Sequence, residues 1–468
     1  MVFTSTVFLF LFLPVFLAGY ALLPPQRRTL AILVGSYAFY AWWRPDFALV
    51  FALSTLLAIA AGRAVARGRG APAGRRALAW GVGAQLATLA YFKYADFGVA
   101  SLNALLEGVG VRPLPLLEVV LPIGISFYVF QAISYVVDVA RRDAPDDARA
   151  VDVAAYIALF PQLIAGPIVR YKTIADRLAA PVLDRASFAA GAERFMLGFV
   201  KKVLVADAVA PIADGAFALA NPSAAEAWLG LLAFAVQLLF DFSGYSDMAI
   251  GLGRMLGFRF PENFDRPYQA RSITEFWRRW HISLSTWLRD YLYVPLGGNR
   301  RGPLSTYRNL ALVMLLGGLW HGAAWTFVLW GAWHGAWLIA ERLRGVRGDR
   351  PAWPGAFGTL GTFAVVLFGW VLFRADGLPA ALAMFGGLVG AHGFGVTGEL
   401  AWLLEPRAVA TLAVGLTLAF VPRPGDRPGL RLRLALGAPP VALLVPLFVL
   451  GVGRALADTA SPFLYFRF

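Results

Sequence analysis

Leu319-Trp320-His321-Gly322-Ala323-Ala324-Trp325 sets one histidine inside hydrophobic sequence, with long apolar stretches on both sides. A titratable, proton-accepting side chain at membrane depth is expensive, so this stretch fixes two expectations together: a membrane-embedded chain and a functional histidine. Composition supports the first. The chain is 59% hydrophobic and 15% charged, with mean hydropathy +0.64, which fits a polytopic all-α membrane protein and not a soluble globule. With 4 His and 0 Cys, chemistry falls to His, carboxylates, hydroxyls or bound ligands.

A span needs roughly 20 apolar residues. Spans are expected near 3–22, 29–43, 45–62, 77–97, 115–140, 187–211, 225–256, 324–341, 355–374, 403–421 and 437–456. The first reads as a retained span because no basic residue precedes its apolar run and Arg27/Arg28 follow it, with a removed signal peptide as the alternative. The formal net charge of +14 points to no nucleic acid. Arg63, Arg67, Arg69, Arg75 and Arg76 form one loop between apolar segments, and Arg27/Arg28, Arg141/Arg142, Arg342/Arg344/Arg347 and Arg423/Arg427/Arg431/Arg433 form others. With loop 63–76 inside, counting spans puts Arg27/Arg28 and Arg141/Arg142 inside too, and the N-terminus outside.

Two segments are not ordinary spans. Residues 151–172 carry Phe160-Pro161-Gln162 and Gly166-Pro167, which break a helix, and residues 258–310 are polar and Trp/Arg-rich. Such backbone survives at membrane depth only buried in protein or lining a cavity, so both are candidate re-entrant or interfacial segments. No repeat or low-complexity tract divides the chain, and 1–468 reads as one membrane domain.

The densest information lies in residues 241–308. Asp241-Phe242-Ser243-Gly244-Tyr245-Ser246-Asp247-Met248 puts two carboxylates in an apolar helix, where interhelical polar contacts compete with a functional role. Pro261-Glu262-Asn263-Phe264-Asp265-Arg266-Pro267-Tyr268 is turn-rich. Residues 272–291 predict one amphipathic helix, capped by Ser272 or Thr274, with Trp277, His281, Ser285 and Leu288 on one face. Its Arg278, Arg279 and Arg289 suit phosphate or carboxylate groups, or else anchor an interfacial helix. The loop 293–302, with Asn299, Arg300 and Arg301, suits a phosphate or is an ordinary inside loop. His334 stands 13 residues after His321, about 20 Å along one helix, so the two share no site unless Gly317, Gly318 and Gly322 break the helix, and His334 reads as packed among Trp330, Trp333 and Trp337. His392 reads as a loop residue, and no ligand spacing for a metal is present.

The motifs of 241–251, 263–268, 276–285 and 293–300, with Phe160-Pro161-Gln162, Leu319-Trp320-His321 and Ser461-Pro462-Phe463-Leu464-Tyr465-Phe466-Arg467-Phe468, resemble membrane-bound O-acyltransferases (MBOAT). The likeness is to the bacterial alginate O-acetyltransferase (AlgI-like) branch, which also includes teichoic-acid D-alanylation and peptidoglycan-acetylating enzymes. It implies a ring of tilted helices with re-entrant segments around a central tunnel, with funnels from both faces meeting near the histidine. It implies that His321 is the family's essential histidine and His281 its second polar position. No cofactor is expected to be permanently bound. Acetyl-CoA is the expected donor, and Arg278, Arg279, Arg289, Asn299, Arg300 and Trp320 are its expected contacts. The acceptor is expected to be an exported, alginate-like polysaccharide, reached through a periplasmic carrier or transferase from the bacterial inner membrane. Transfer to teichoic acid or peptidoglycan is the alternative, and a non-enzymatic transporter of a small anion is the reading from another class.

Overall fold

The computed structural model describes residues 1–346, 348, 352, 355–421 and 441–457. Arg347, the arginines 423–433, residues 437–440 of the last expected span and the motif 461–468 lie outside the described residues. The regular structure of the described residues is helical, with no strand among them, in two compact units.

The first unit comprises Met1–Ala192 with Ala249–Pro261. After a π-helical turn at Phe8–Phe12 it runs α1 (Leu13–Leu22), α2 (Pro25–Ala41), α3 (Pro45–Arg67), α4 (Pro72–Gly108), α5 (Ile125–Arg141), α6 (Ala150–Ala158), α7 (Phe160–Leu163) and α8 (Tyr171–Ala179). Helix α3 shows how sequence becomes membrane structure. Phe47, Phe51, Ser54 and Ala58 are buried on one face, while Leu49, Leu53 and Leu56 form an exposed stripe 61–69% accessible. Such a stripe in a helix of 23 residues belongs against lipid.

The expected span 115–140 is half right. Residues 111–122 are not helical, and α5 begins only at Ile125. Pro113, Pro115 and Pro122 remove backbone donors, and Gly124 sits at φ +73° against the carbonyl of Leu163. The expected irregular segment 151–172 is short helices and turns, almost wholly buried. Phe160 anchors it in a ring cluster with Phe12, Phe16 and Phe39 at 5.2–5.5 Å, and its N–H donates to Ser36 Oγ at 3.1 Å. Irregular backbone is tolerated there because it is buried in protein, where side chains such as Ser36 and Gln162 bond to its backbone groups.

Helix α9 (Arg185–Val200) leads into the second unit, Glu193–Met248 with Glu262–Phe468. Its further helices are α10 (Asp207–Ala218), α11 (Ala224–Met255, whose last turns belong to the first unit), α12 (Ile273–Arg279) and α13 (Ile282–Leu288). They continue with α14 (Pro303–His321), α15 (Trp325–Leu343), α16 (Gly355–Arg374), α17 (Leu378–Leu388), α18 (Gly398–Ala401), α19 (Pro406–Phe420) and α20 (Val441–Ala457). Helix α14 is absent from the expected spans, because Ser305 to Asn309 make its first turns polar. Pro45–Arg67, Ala224–Met255 and Phe357–Arg374 are long and apolar enough to cross a membrane.

The charged residues of α11 are structural partners in a buried network. Asp247 accepts from Arg194 Nε at 2.8 Å and Lys201 Nζ at 2.7 Å, and Arg194 also pairs with Glu262. Lys202, 3% exposed, pairs with Asp207 and with Asp241 at 3.0 Å. This agrees with interhelical polar contacts. The pairs keep two otherwise prohibitive buried carboxylates engaged.

Candidate active site

The site is built on the α14–α15 hairpin. Helix α14 ends on His321, Gly322 is extended at φ −160°, and α15 starts at Trp325. The helix therefore breaks at Gly322 and reverses. A Cβ on Gly322 would sit 2.0 Å from the Phe327 ring, and one on Gly318 2.2 Å from the Phe327 carbonyl oxygen. One on Gly331 would lie 2.3 Å from the carbonyl oxygen of Met314. Glycine at these positions is what lets the two helices touch.

The reversal changes the expected separation of the histidines. The rings of His321 and His334 both lie 5.0 Å from Trp330, so they belong to one aromatic cluster and not to opposite ends of a helix. His321 is 4% exposed and also packs on Trp320 at 4.9 Å and Phe373 at 5.1 Å. His334 is fully buried, as a packed histidine should be, but its other neighbours are Trp277 at 5.2 Å and Phe276 at 6.0 Å. Trp333 instead donates to the Val365 carbonyl at 2.9 Å and packs on Trp337.

The expected continuous helix over 272–291 is broken. Ser272 caps α12, accepting the Glu275 N–H at 3.0 Å. Glu341 of α15 reinforces that end, accepting Ile273 N at 2.6 Å and Thr274 N at 2.8 Å. Helix α12 stops at Arg279, and His281 takes a left-handed conformation, φ 43° and ψ 54°, before α13. For a residue with a Cβ this costs about 1–2 kcal/mol. The break means that Trp277, His281, Ser285 and Leu288 do not line one helical face. It turns His281 inward, fully buried, against Phe242 at 4.8 Å and Trp320 at 6.0 Å.

Trp320 thus stands beside both His281 and His321, as a wall of the histidine site, only 3% exposed. The expected basic donor contacts are elsewhere. Arg278, Asn299 and Arg300 are exposed, as is the side chain of Arg289, which pairs with Asp290 at 2.6 Å. Arg279 pairs with Glu275 at 2.6 Å. None of the five lies within the buried cluster.

Sequence reasoning missed two features. Asn263 accepts from Ser283 and meets His281 Nδ1 at 3.2 Å. Its signal was membership of the turn-rich stretch 261–268, which carries no hint of a distant partner. The second is a cavity of about 300 Å³ lined by Thr326, Phe327, Phe373, Arg374, Asp376 and Gly377. Phe373, one wall of that cavity, also packs on His321. Arg374 is held by Asp214 at 2.7 Å.

The sequence profile described as MBOAT, membrane-bound O-acyltransferase family, matches residues 79–376. The chain is 50% identical over 495 aligned positions to the protein named "Probable alginate O-acetylase AlgI" of Pseudomonas putida, covering 100% of both. It is 35% identical over 428 positions to the peptidoglycan O-acetyltransferase of Helicobacter pylori, covering 84% of this chain and 80% of that one. It is 28% identical over 291 positions to the teichoic acid D-alanyltransferase of Streptococcus thermophilus, covering 54% and 68%.

Proposed function

The chain belongs to the membrane-bound O-acyltransferase family and is a membrane O-acetyltransferase, and from that premise we propose that it acetylates hydroxyls of an exported, alginate-like polysaccharide. The observation that carries the reading is the pair of buried imidazoles, His321 and His281, flanking Trp320. The graded likeness to the named relatives, highest for the alginate protein, supports the acceptor class.

Acetyl-CoA, reaching the site from the cytoplasm, supplies the group. In the transfer the acceptor oxygen bonds to the acetyl carbon, the carbon–sulfur bond breaks, and the hydroxyl proton ends on the leaving thiolate. The step needs an acceptor for that proton and stabilisation of the developing oxyanion. His321 acts as the base or carries the acetyl group as a transient acyl-imidazole. His281 holds the acceptor or polarises the carbonyl. Arg278, Arg279, Arg289, Asn299 and Arg300, lying outside the buried cluster, steer the anionic donor before it enters. The polysaccharide is reached from the bacterial inner membrane through a periplasmic carrier or transferase, with the N-terminus on the periplasmic side.

The test is purified protein in lipid nanodiscs with labelled acetyl-CoA and either alginate oligosaccharide, peptidoglycan fragments or an extract of periplasmic proteins. Label on the uronate chain, or on a periplasmic protein that passes it there, supports the proposal. Label on peptidoglycan alone contradicts the acceptor, and no turnover with any acceptor contradicts the activity.

A further inference from the structure

Asn263 is 1% exposed and is hydrogen-bonded through its backbone carbonyl and through both ends of its carboxamide. Its backbone carbonyl accepts the Ile282 N–H at 2.9 Å. Its carboxamide Nδ2 donates to Ser246 Oγ at 3.0 Å. Its Oδ1 accepts the Ser283 backbone N–H at 3.1 Å and the Ser283 hydroxyl at 2.8 Å.

A backbone N–H can only donate, so the carboxamide atom facing Ser283 is the oxygen. That oxygen can only accept, and it lies 3.2 Å from His281 Nδ1. Two bare acceptors at that separation would repel, and the Ser283 hydroxyl, 3.5 Å from Nδ1, already donates to the Asn263 oxygen, so Nδ1 carries a proton. A neutral imidazole has one N–H, and Nε2 is then the bare nitrogen. Nε2 is buried and meets no protein hydrogen-bonding group.

We infer that Asn263 is a positioning residue that fixes the tautomer of His281, so that the ring presents its Nε2 lone pair and takes a hydroxyl as its ligand, not a carbonyl or thioester oxygen. The identity of that hydroxyl as the acetyl acceptor rests on the function proposed above; the tautomer does not. Of the two roles open to His281, holding the acceptor survives and polarising the carbonyl does not. The ring is packed by Phe242, Phe264 and Trp320, which carry no charge, and by the uncharged Asn263 and Ser283. His321, the other titratable group of the site, lies beyond Trp320. Burial pushes the His281 imidazole down to about 3, which keeps it neutral over the working pH range.

Two measurements test this. The first is nitrogen NMR of [¹⁵N]histidine-labelled protein in lipid bilayers, with the His281 signals identified by their loss in His281→Gln. Protonated Nδ1 and bare Nε2 are expected in the wild type, and a mixed or reversed pattern in Asn263→Ala. Bare Nδ1 in the wild type would overturn the assignment whether or not the protein transfers acetyl groups.

The second is the pH–rate profile of acetyl transfer, measured on protein shown to be folded by its melting transition. Asn263→Asp keeps an acceptor against Nδ1 and adds a charge that favours the imidazolium, so its acid limb should move to higher pH. Asn263→Ala should lower kcat about 10–100-fold, as loss of an orienting partner does, with KM for the donor unchanged. An unmoved profile in Asn263→Asp, or wild-type kcat in Asn263→Ala, would overturn the positioning role even if the tautomer is right. A wild type that transfers nothing would sink the proposed function while the NMR result still decides the tautomer.

Discussion

Gly331→Ala separates local helix physics from packing, because the two predict opposite signs. Gly331 is a helical residue of α15, and alanine is favoured over glycine in a helix interior by about 1 kcal/mol. On local propensity the substitution stabilises. The added Cβ, however, would stand 2.3 Å from the carbonyl oxygen of Met314 and 3.1 Å from Leu315 Cα. Both are backbone atoms that no rotamer change moves aside. An ordinary contact needs roughly 3.4 Å, so α14 and α15 must part by about 1 Å, and overpacking of this kind costs about 1–3 kcal/mol. The same displacement separates His321, at the end of α14, from Trp330 on α15, against which it packs at 5.0 Å. A misplacement of about 1 Å at a reacting group is worth up to about 10²-fold in rate. The assay is thermal unfolding in detergent together with acetyl transfer at matched protein level. Gly83→Ala is the control, since a Cβ there meets nothing within 4 Å. Gly331→Ala should melt below the wild type and lose activity, while Gly83→Ala should melt at or above it. A Gly331→Ala protein as stable and as active as the wild type would refute the claim that backbone contact between α14 and α15 builds the site.

Other perturbations follow from the same structure. Lys202→Met leaves Asp207 and Asp241 without their buried lysine and should destabilise by about 3–5 kcal/mol, read as a lowered melting midpoint; full stability would show that the network contributes nothing. Arg278→Ala and Arg289→Ala, both on exposed side chains, should weaken donor use at unchanged melting midpoint, whereas mere interfacial anchoring predicts lower expression with unchanged donor affinity. His334→Gln should lower stability more than it lowers kcat, because the ring fills a cage of Phe276, Trp277 and Trp330; a loss of turnover equal to that of a His321 variant would move His334 into the chemistry.

Apolar run length located most helices, because a run that must be buried or face lipid is visible one residue at a time. Residues 225–256 and 355–374 were read almost to their ends, against Ala224–Met255 and Gly355–Arg374. The reading failed where a local rule competed with the run. Prolines overrode the apolar residues of 115–124, and a polar first turn concealed α14. It failed again where tertiary contact decides. Nothing in the residues around His281 marks a left-handed conformation, which the packing of α12 and α13 imposes. The glycines at 317, 318 and 322 were visible as possible breaks, but only the close approach of Met314 and Phe327 shows that the helix reverses there. The two motif histidines were legible as residue types in an apolar setting. The contact of Trp320 with His281 and the acceptor role of Asn263 were not, because both depend on contacts between elements distant in sequence.

The proposed transfer rests on the imidazole of His321. Its most direct test is acetylation by His321→Ala and His321→Gln at matched, folded protein level, in cells and with purified protein given labelled acetyl-CoA. Loss of a general base costs about 10²–10⁴-fold in rate, and loss of a nucleophile more. At least that loss is expected in both variants, with the melting transition retained. Near wild-type acetylation by His321→Ala would contradict it.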